Sequence, residues 1–335
     1  MTSRSRYLGR RIGWALVTIL VVITFNFVLF RVLPGDPAKP GVKDPRLNPE
    51  TQAALTERFG LDKPLFFNFG SGEPFDSQYF IYIGNLLRGD LGTSFASPDR
   101  SVGEMISEAL VNTLWLVIPS QILSIVVGIL LGLVAAWKRG KATDLGALAS
   151  SLFLWSLPTF FLAIILLFIG VRFFDLPIGG KQTIGADYAN VFEAAADLFA
   201  HLLLPTLTLT LVLIGEYMLI MRSSVLDVFS EDYILTAKAK GLSTSQIIRG
   251  HALKNAMLPM VTLIAINLAF TVSGAIQVEE VFSWPGLGHL TIEAVSERDY
   301  PVLQGAFLLL AVAVVVANLI ADLVYGWLDP RVTEA

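Results

Sequence analysis

The sequence predicts an all-α integral membrane protein, and three observations carry that prediction. Hydrophobic residues make up 54% of the 335 residues and charged residues only 16%, against about 25% charged in an ordinary soluble domain. The mean hydropathy is +0.65. Six apolar stretches of roughly membrane-crossing length recur along the chain, and Lys and Arg gather in alternate loops between them. The net charge of −4 supplies no basic field for nucleic acid. With no cysteine, and with His201, His251 and His289 scattered, thiolate metal sites and HExxH-type metal spacings are excluded.

The six stretches run over 12–33, 114–137, 148–171, 198–221, 257–278 and 303–327. At 1.5 Å per residue, about 20 residues cross the ~30 Å hydrocarbon core. The runs are too long for strands and lack strict alternation. In lipid a single segment satisfies its own backbone only as a helix, so each stretch is expected to be one helix. The fifth is the weakest, because Asn267, Ser273 and Gln277 interrupt it. Arg4, Arg6, Arg10 and Arg11 precede the first span, Lys138, Arg139 and Lys141 follow the second, and Arg222, Lys238, Lys240, Arg249 and Lys254 follow the fourth. The opposite short loops hold only Arg172, Lys181 and Arg298. By the positive-inside rule both termini and the 222–256 loop are cytoplasmic. The first apolar run is long and is followed by Arg31-Val32-Leu33-Pro34, not by a small-residue cleavage site, so it reads as an uncleaved signal anchor.

These spans divide the chain into an N-terminus with span one (1–33), an extracytoplasmic cap region (34–112) and a five-span core (113–335). The cap region is too long for a structureless connection. Asn48-Pro49 opens a helix that Gly60 closes. Ser101-Val102-Gly103-Glu104 has the form of a capping box leading into span two. Between them Tyr79-Phe80-Ile81-Tyr82-Ile83 offers apolar surface for packing onto the membrane helices. A purely structural lid would look the same.

The 222–256 loop predicts a helix–turn–helix elbow. Residues 232–240 favour a helix, Gly241 ends it in a left-handed cap, and Ser243 or Thr244 starts the next. Ala237 and Ala239 allow close approach of another surface beside Lys238 and Lys240. Composition alone leaves open that this is simply a basic loop. In span two, Gly128 and Gly132 form a small-xxx-small face, for helix packing or for lining a pathway. Glu216 lies in span four, before Arg222. It faces the bundle interior or an inner gate, or pairs with a nearby Lys or Arg. Asp322 lies towards the end of span six and reads as a tether for the C-terminal tail. No G-x-x-x-x-G-K-[ST] phosphate loop and no GxSxG nucleophile elbow exist, and no clustered catalytic set lies within the spans.

The elbow sequence then points to a family. Asp232-Tyr233, Thr236-Ala237-Lys238-Ala239-Lys240-Gly241-Leu242, His251-Ala252-Leu253-Lys254-Asn255-Ala256 and Leu258-Pro259 together resemble the EAA loop of ABC importer permeases, in the dipeptide, oligopeptide and nickel branch. The likeness extends to Leu33-Pro34-Gly35-Asp36-Pro37, Gly89-Asp90-Leu91-Gly92-Thr93-Ser94, the run from Glu279-Glu280 through Trp284-Pro285-Gly286-Leu287-Gly288, Arg298-Asp299-Tyr300-Pro301 and Asp329-Pro330-Arg331. Leu235 and Thr236 depart from the general EAA pattern, and 66–76 looks inserted. The resemblance implies a type I permease fold in a bacterial cytoplasmic membrane and an ATP-driven importer of peptides, with nickel or another small solute as the alternative cargo. It implies as partners a second similar permease, two ATPase subunits that bind the ATP and magnesium, and an external substrate-binding protein. This chain itself would carry no cofactor and no enzymatic activity. Asp232, Tyr233, Thr236, Ala237, Lys238, Ala239, Lys240, Gly241 and Leu242 would form the coupling surface. Glu279 and Glu280, at the outer mouth of span five, would meet a peptide's amino terminus or merely cap the loop. An ion-coupled secondary transporter is the remaining reading, weakened by the few intramembrane acids.

Overall fold

The computed structural model describes residues 3–32, 50, 62–70 and 73–328. Among them every regular element is helical, apart from one isolated bridge between Thr93 and Ser101. The helices are α1 (Ser3–Val32), α2 (Gln78–Leu87), α3 (Val102–Trp137), α4 (Ala142–Ser156), α5 (Thr159–Phe174), α6 (Val191–Phe229), α7 (Asp232–Ala239), α8 (Thr244–Ile247), a π-helical turn (Ile248–Ala252), α9 (Leu253–Gly274), α10 (Ile276–Val281), α11 (Leu287–Glu297) and α12 (Tyr300–Leu328). The helix expected after Asn48-Pro49, the Leu33–Pro37 motif and the Asp329–Arg331 motif lie outside the described residues, as does the side chain of Asp322.

Among the described residues four stretches are each long and apolar enough to cross a membrane: Leu8–Arg31, Val102–Trp137, Val191–Phe229 and Tyr300–Ile320. The third predicted span is not one helix. It breaks between α4 and α5 with a bend of 104°. Pro158 has no N–H to donate and excludes the helical region for the residue before it, and Leu157 sits at φ −77°, ψ 132°. The fifth stretch is α9, Leu253–Gly274, with Pro259 inside it, and Ala275 separates it from short α10.

The ends are set by local chemistry. Ser101 Oγ accepts from Glu104 N (3.1 Å), which caps α3 as the sequence suggested. Asn190 Oδ1 accepts from Glu193 N (3.0 Å), the N-cap that starts α6, and Glu193 Oε2 accepts from Ala189 N (3.0 Å) just before it. At 39 residues α6 is about 58 Å long, nearly twice the hydrocarbon thickness.

The chain forms two compact units. In the unit containing Asn112–Gly288, α6 is the central post. Gly128 and Gly132 of α3 lie against Tyr217 and Met221 of α6, where an added Cβ would fall 2.5 Å and 2.7 Å from the Cβ atoms of those residues. Gly215 of α6 receives the Ser151 backbone of α4, and Gly170 of α5 receives Leu204 of α6. Both halves of the broken stretch therefore pack on one post, eleven residues apart along it. Tyr217, Met221, Val225, Ala256 and Met260 form one buried cluster, and Leu116, Leu204, Phe282 and Trp284 belong to another.

The unit containing Gly13–Val111 and His289–Val315 joins α1, α2, the start of α3, α11 and the first half of α12. Two of the sequence motifs meet in it. Asp299 accepts from Val302 N (3.4 Å) at the start of α12, from Ala96 N (3.2 Å), and from Ser94 Oγ. Asn26 Nδ2 of α1 donates to Gln304 O (3.3 Å), and Phe30 packs on Phe307.

Candidate functional site

The elbow is built as a closed structure. Gly241 takes φ +76°, its N–H donates to Lys238 O (2.9 Å), and Leu242 N donates to Ala237 O (3.3 Å). Those two bonds are the pair of a Schellman cap, which a residue with a Cβ adopts only under strain. Leu242 completes it by packing with Ile234, Ala237 and Ile247 against Val228 and Phe229. Gln246 Oε1 accepts from Ser243 N and Ser243 Oγ (both 2.9 Å), so Ser243 is the residue at the start of α8. The π-helical turn then carries the chain into α9 without a break in direction of winding. Asn255 Nδ2 of α9 donates to the Tyr233 hydroxyl of α7 (2.6 Å), joining the two helices of the elbow.

This geometry sorts the residues picked out by sequence. Asp232, Tyr233, Thr236, Lys238, Ala239, Lys240 and Gly241 are exposed. Ala237 is buried inside the elbow and Leu242 is half-buried, so these two hold the elbow together. Leu235, which sequence comparison marked only as a departure, is 56% exposed. It lies one turn from Ala239, on the same face of α7. A large apolar side chain left in the open beside an alanine and two lysines is a surface suited to another protein.

The helix that leads into the elbow is tied to α4 by a pair that the sequence did not reveal. Arg222 Nε and Nη2 donate to the two oxygens of Asp144 at 2.6 and 2.8 Å, and Gly140 N donates to Asp144 Oδ2 (2.9 Å). The Asp144 side chain is 2% exposed. A fork-to-carboxylate contact of this kind fixes direction as well as distance. It ties the 138–141 turn to α6 less than two turns before Phe229.

Deeper in the same unit, polar side chains from three helices meet. Asn267 Nδ2 of α9 donates to Glu216 Oε2 (2.9 Å), Tyr217 OH of α6 donates to Gln121 Oε1 of α3 (3.0 Å), and Gln121 Nε2 reaches Asn267 O (3.4 Å). Glu216 thus turns to an amide across the bundle and not to Arg222, which is committed to Asp144. The signal for this layer was present in the sequence as isolated polar residues in apolar windows. Their partners were not legible there.

The acidic pair at the other end divides. Glu279 is fully buried and accepts from Thr113 Oγ1 and Gly288 N, both at 2.6 Å, while Leu287 N donates to Thr113 Oγ1 (2.8 Å). A Cβ on Gly286 would lie 2.3 Å from the Glu279 carboxylate, so that carboxylate fits only against glycine. Trp284 Nε1 donates to Asn112 O (2.9 Å), and Asn112 Nδ2 donates to Pro285 O (2.8 Å). Glu279 is therefore a clasp for the 282–288 turn. Glu280, next along the short helix and rotated by about 100°, is exposed. Among the described residues no group of three or more His, Cys, Asp or Glu is placed to hold a metal ion.

Comparison with known proteins agrees with this architecture. The family described as "Binding-protein-dependent transport system inner membrane component" matches residues 128–334, and the companion N-terminal family of the same membrane components matches 4–117. The chain is 33% identical to the di/tripeptide transport system permease protein of Pseudomonas aeruginosa over 97% of its length and 98% of that protein. It is also 33% identical, over the same shares, to the oligopeptide transport system permease protein of Bacillus subtilis. With the dipeptide transport system permease protein of Escherichia coli it is 35% identical over 98% of both. Among solved structures, an inward-facing MetNI methionine ABC transporter chain is similar in fold, with a TM-score of 0.53 and 17% identity, covering 67% of this chain and 96% of that one. An all-helical membrane bundle, an elbow with the family's motif and matches over nearly the whole length lead to one statement: the chain belongs to the binding-protein-dependent transport system inner membrane component family.

Proposed function

We propose that this chain is a permease subunit of an ATP-driven importer of peptides, forming half of a translocation pathway with a second, similar permease. In this reading six stretches cross the membrane, with the broken α4–α5 pair counted as one, and both termini and the elbow lie in the cytoplasm. Two ATPase subunits bind ATP and magnesium and seat the exposed face of α7, and an external binding protein delivers the cargo. The peptide assignment draws on the relatives, whose names specify di/tripeptide, oligopeptide and dipeptide transport.

The single observation that carries the coupling role is the exposed Leu235, Ala239, Lys238 and Lys240 on a helix held rigid by the Gly241 cap. Moving a two-state gate from 1:99 to 99:1 takes about 5.5 kcal/mol of differential binding. A rigid elbow transmits such a bias to α6 and α9, because it is continuous with both. Glu216, Gln121, Tyr217 and Asn267 would then form a polar layer that the two states expose differently.

The test is uptake of labelled peptides by vesicles holding the chain alone or with its co-purifying subunits, with and without ATP. Uptake is expected only with partners and ATP. Gly241→Val places a branched side chain at a left-handed position, costing about 1–2 kcal/mol, and is expected to lower ATP-driven uptake about tenfold. Gly241→Asn, which tolerates that conformation, should lose less. Solute movement by the isolated chain down an ion gradient without ATP would overturn the reading.

A further inference from the structure

Residues 64–70 and 73–76 of the loop before α2, with α2 itself, carry an aromatic surface that coupling and transport leave unused. Phe67 contacts Phe69, Phe75 and Phe80 at ring separations of 5.8, 6.4 and 5.7 Å, and Phe75 meets Phe80 edge-on at 4.9 Å. Phe69 and Phe75 remain 84% and 66% exposed. Exposed apolar surface gathered in this way marks an interaction site.

The depth of this surface follows from its contacts with α1. The Tyr79 hydroxyl and Thr24 Oγ1 share a hydrogen bond of 2.7 Å, and the Phe27 ring packs on Phe66, Tyr79 and Tyr82 at 5.8, 5.2 and 5.6 Å. The apolar part of α1, Leu8–Arg31, has 24 residues, about 36 Å of helix against a ~30 Å hydrocarbon core. Thr24 lies about 12 Å along the axis before Val32. Thus α2 lies beside the last turns of a membrane-crossing helix and not above its end. Val21, Phe25 and Leu29, one turn apart on α1, are also exposed at this level.

Part of the loop's irregular backbone is paired within the loop, which lowers the cost of bringing it near the bilayer. Gln78 N donates to Pro64 O (3.1 Å), Tyr79 N to Leu65 O (3.0 Å), Asn68 N to Pro74 O (3.0 Å) and Ser77 Oγ to Phe66 O (2.6 Å). The Lys63–Asp76 ion pair closes its neck, and the hydrogen bond to Asp76 raises the Lys63 amine above its ordinary range, keeping it charged. Aromatic side chains beside the charged Lys63, Glu73 and Asp76 match the transition from acyl chains to headgroups.

We propose that Phe67, Phe69 and Phe75 seat the described residues of this loop, 64–70 and 73–76, at the boundary of headgroups and acyl chains in the leaflet holding the C-terminal end of α1. On the orientation proposed above, that is the outer leaflet. The occupant of this surface is lipid, and the loop anchors the cap region laterally to the membrane.

The chain contains no cysteine, so Phe69→Cys and Phe75→Cys each introduce one labelling site on it. Spin-labelled complexes with all co-purifying subunits, in phosphatidylcholine vesicles, are compared with an Asp187→Cys control in an exposed loop, after subtraction of label on the unmodified complex. At both phenylalanine sites collisions with dissolved oxygen are expected to exceed those with a water-soluble nickel chelate severalfold, with the reverse at Asp187. Nickel collisions at 69 and 75 equal to those at the control would place the loop in water and overturn the proposal. An immobile label shielded from both would mean that another protein covers the surface, and would overturn it equally.

Discussion

Replacing Gly132 by alanine adds one carbon to a seam with no room for it. The new Cβ would lie 2.7 Å from Met221 Cβ, 2.8 Å from Met218 O and 3.1 Å from Arg222 N. Carbon atoms rest at about 3.5–4.0 Å, so α3 and α6 must part by about 1 Å. Met221 and Tyr217 are fully buried among Ala256 and Met260, and parting the helices forfeits contact along that whole cluster. Overpacking of this kind costs about 1–3 kcal/mol. Glycine to alanine within a helix returns about 1 kcal/mol of propensity, which would mask part of the loss. Gly146→Ala removes the ambiguity, because a Cβ there meets nothing within 4 Å and gains the same propensity. The difference in stability between the two variants, read from thermal melts in detergent by size-exclusion chromatography, is expected to be about 1–3 kcal/mol against Gly132→Ala. Gly128→Ala/Gly132→Ala should cost less than the sum of the two singles, since one displacement relieves both contacts. A Gly132→Ala protein that melts with Gly146→Ala would refute the close approach.

Arg222→Met strands the buried Asp144 carboxylate and should cost about 3–5 kcal/mol, while adding Asp144→Asn to it, with Asp144→Asn alone as the other single, recovers most of the loss. Thermal melts of the cycle would refute the coupling if the two single losses simply added. Leu235→Asp alters an exposed position and should leave the melt unchanged. Co-purification of the ATPase should nonetheless weaken by about 1–2 kcal/mol, roughly five- to thirtyfold, and unchanged co-purification would remove Leu235 from the proposed contact. Gly286→Ala drives a Cβ into the Glu279 carboxylate and should destabilise the fold, whereas Glu280→Gln, at the exposed neighbour, should not. Equal melts for the two would refute the clasp.

What the sequence determined by itself was set by composition and by signals a few residues long. A charged fraction too small to cover a soluble surface, and apolar runs near 20 residues, fix a membrane bundle because nothing else satisfies such a chain. The Gly241 cap, the Ser101 start of α3 and the helix of the elbow were legible because each depends on residues within one turn of itself. Tertiary structure decided what local chemistry leaves open. Four prolines lie within predicted spans, yet Pro119, Pro205 and Pro259 sit inside helices and Pro158 breaks one. The cost of a freed backbone carbonyl depends on what packs around it, and the sequence window does not contain that. Asp144 and Arg222 are 78 residues apart, and Thr113 and Glu279 are 166 apart. No local pattern distinguishes a carboxylate that will be clasped from one that will face water. The depth proposed for the aromatic loop rests on the register at which α2 lies along α1, and that register comes from packing, not from periodicity.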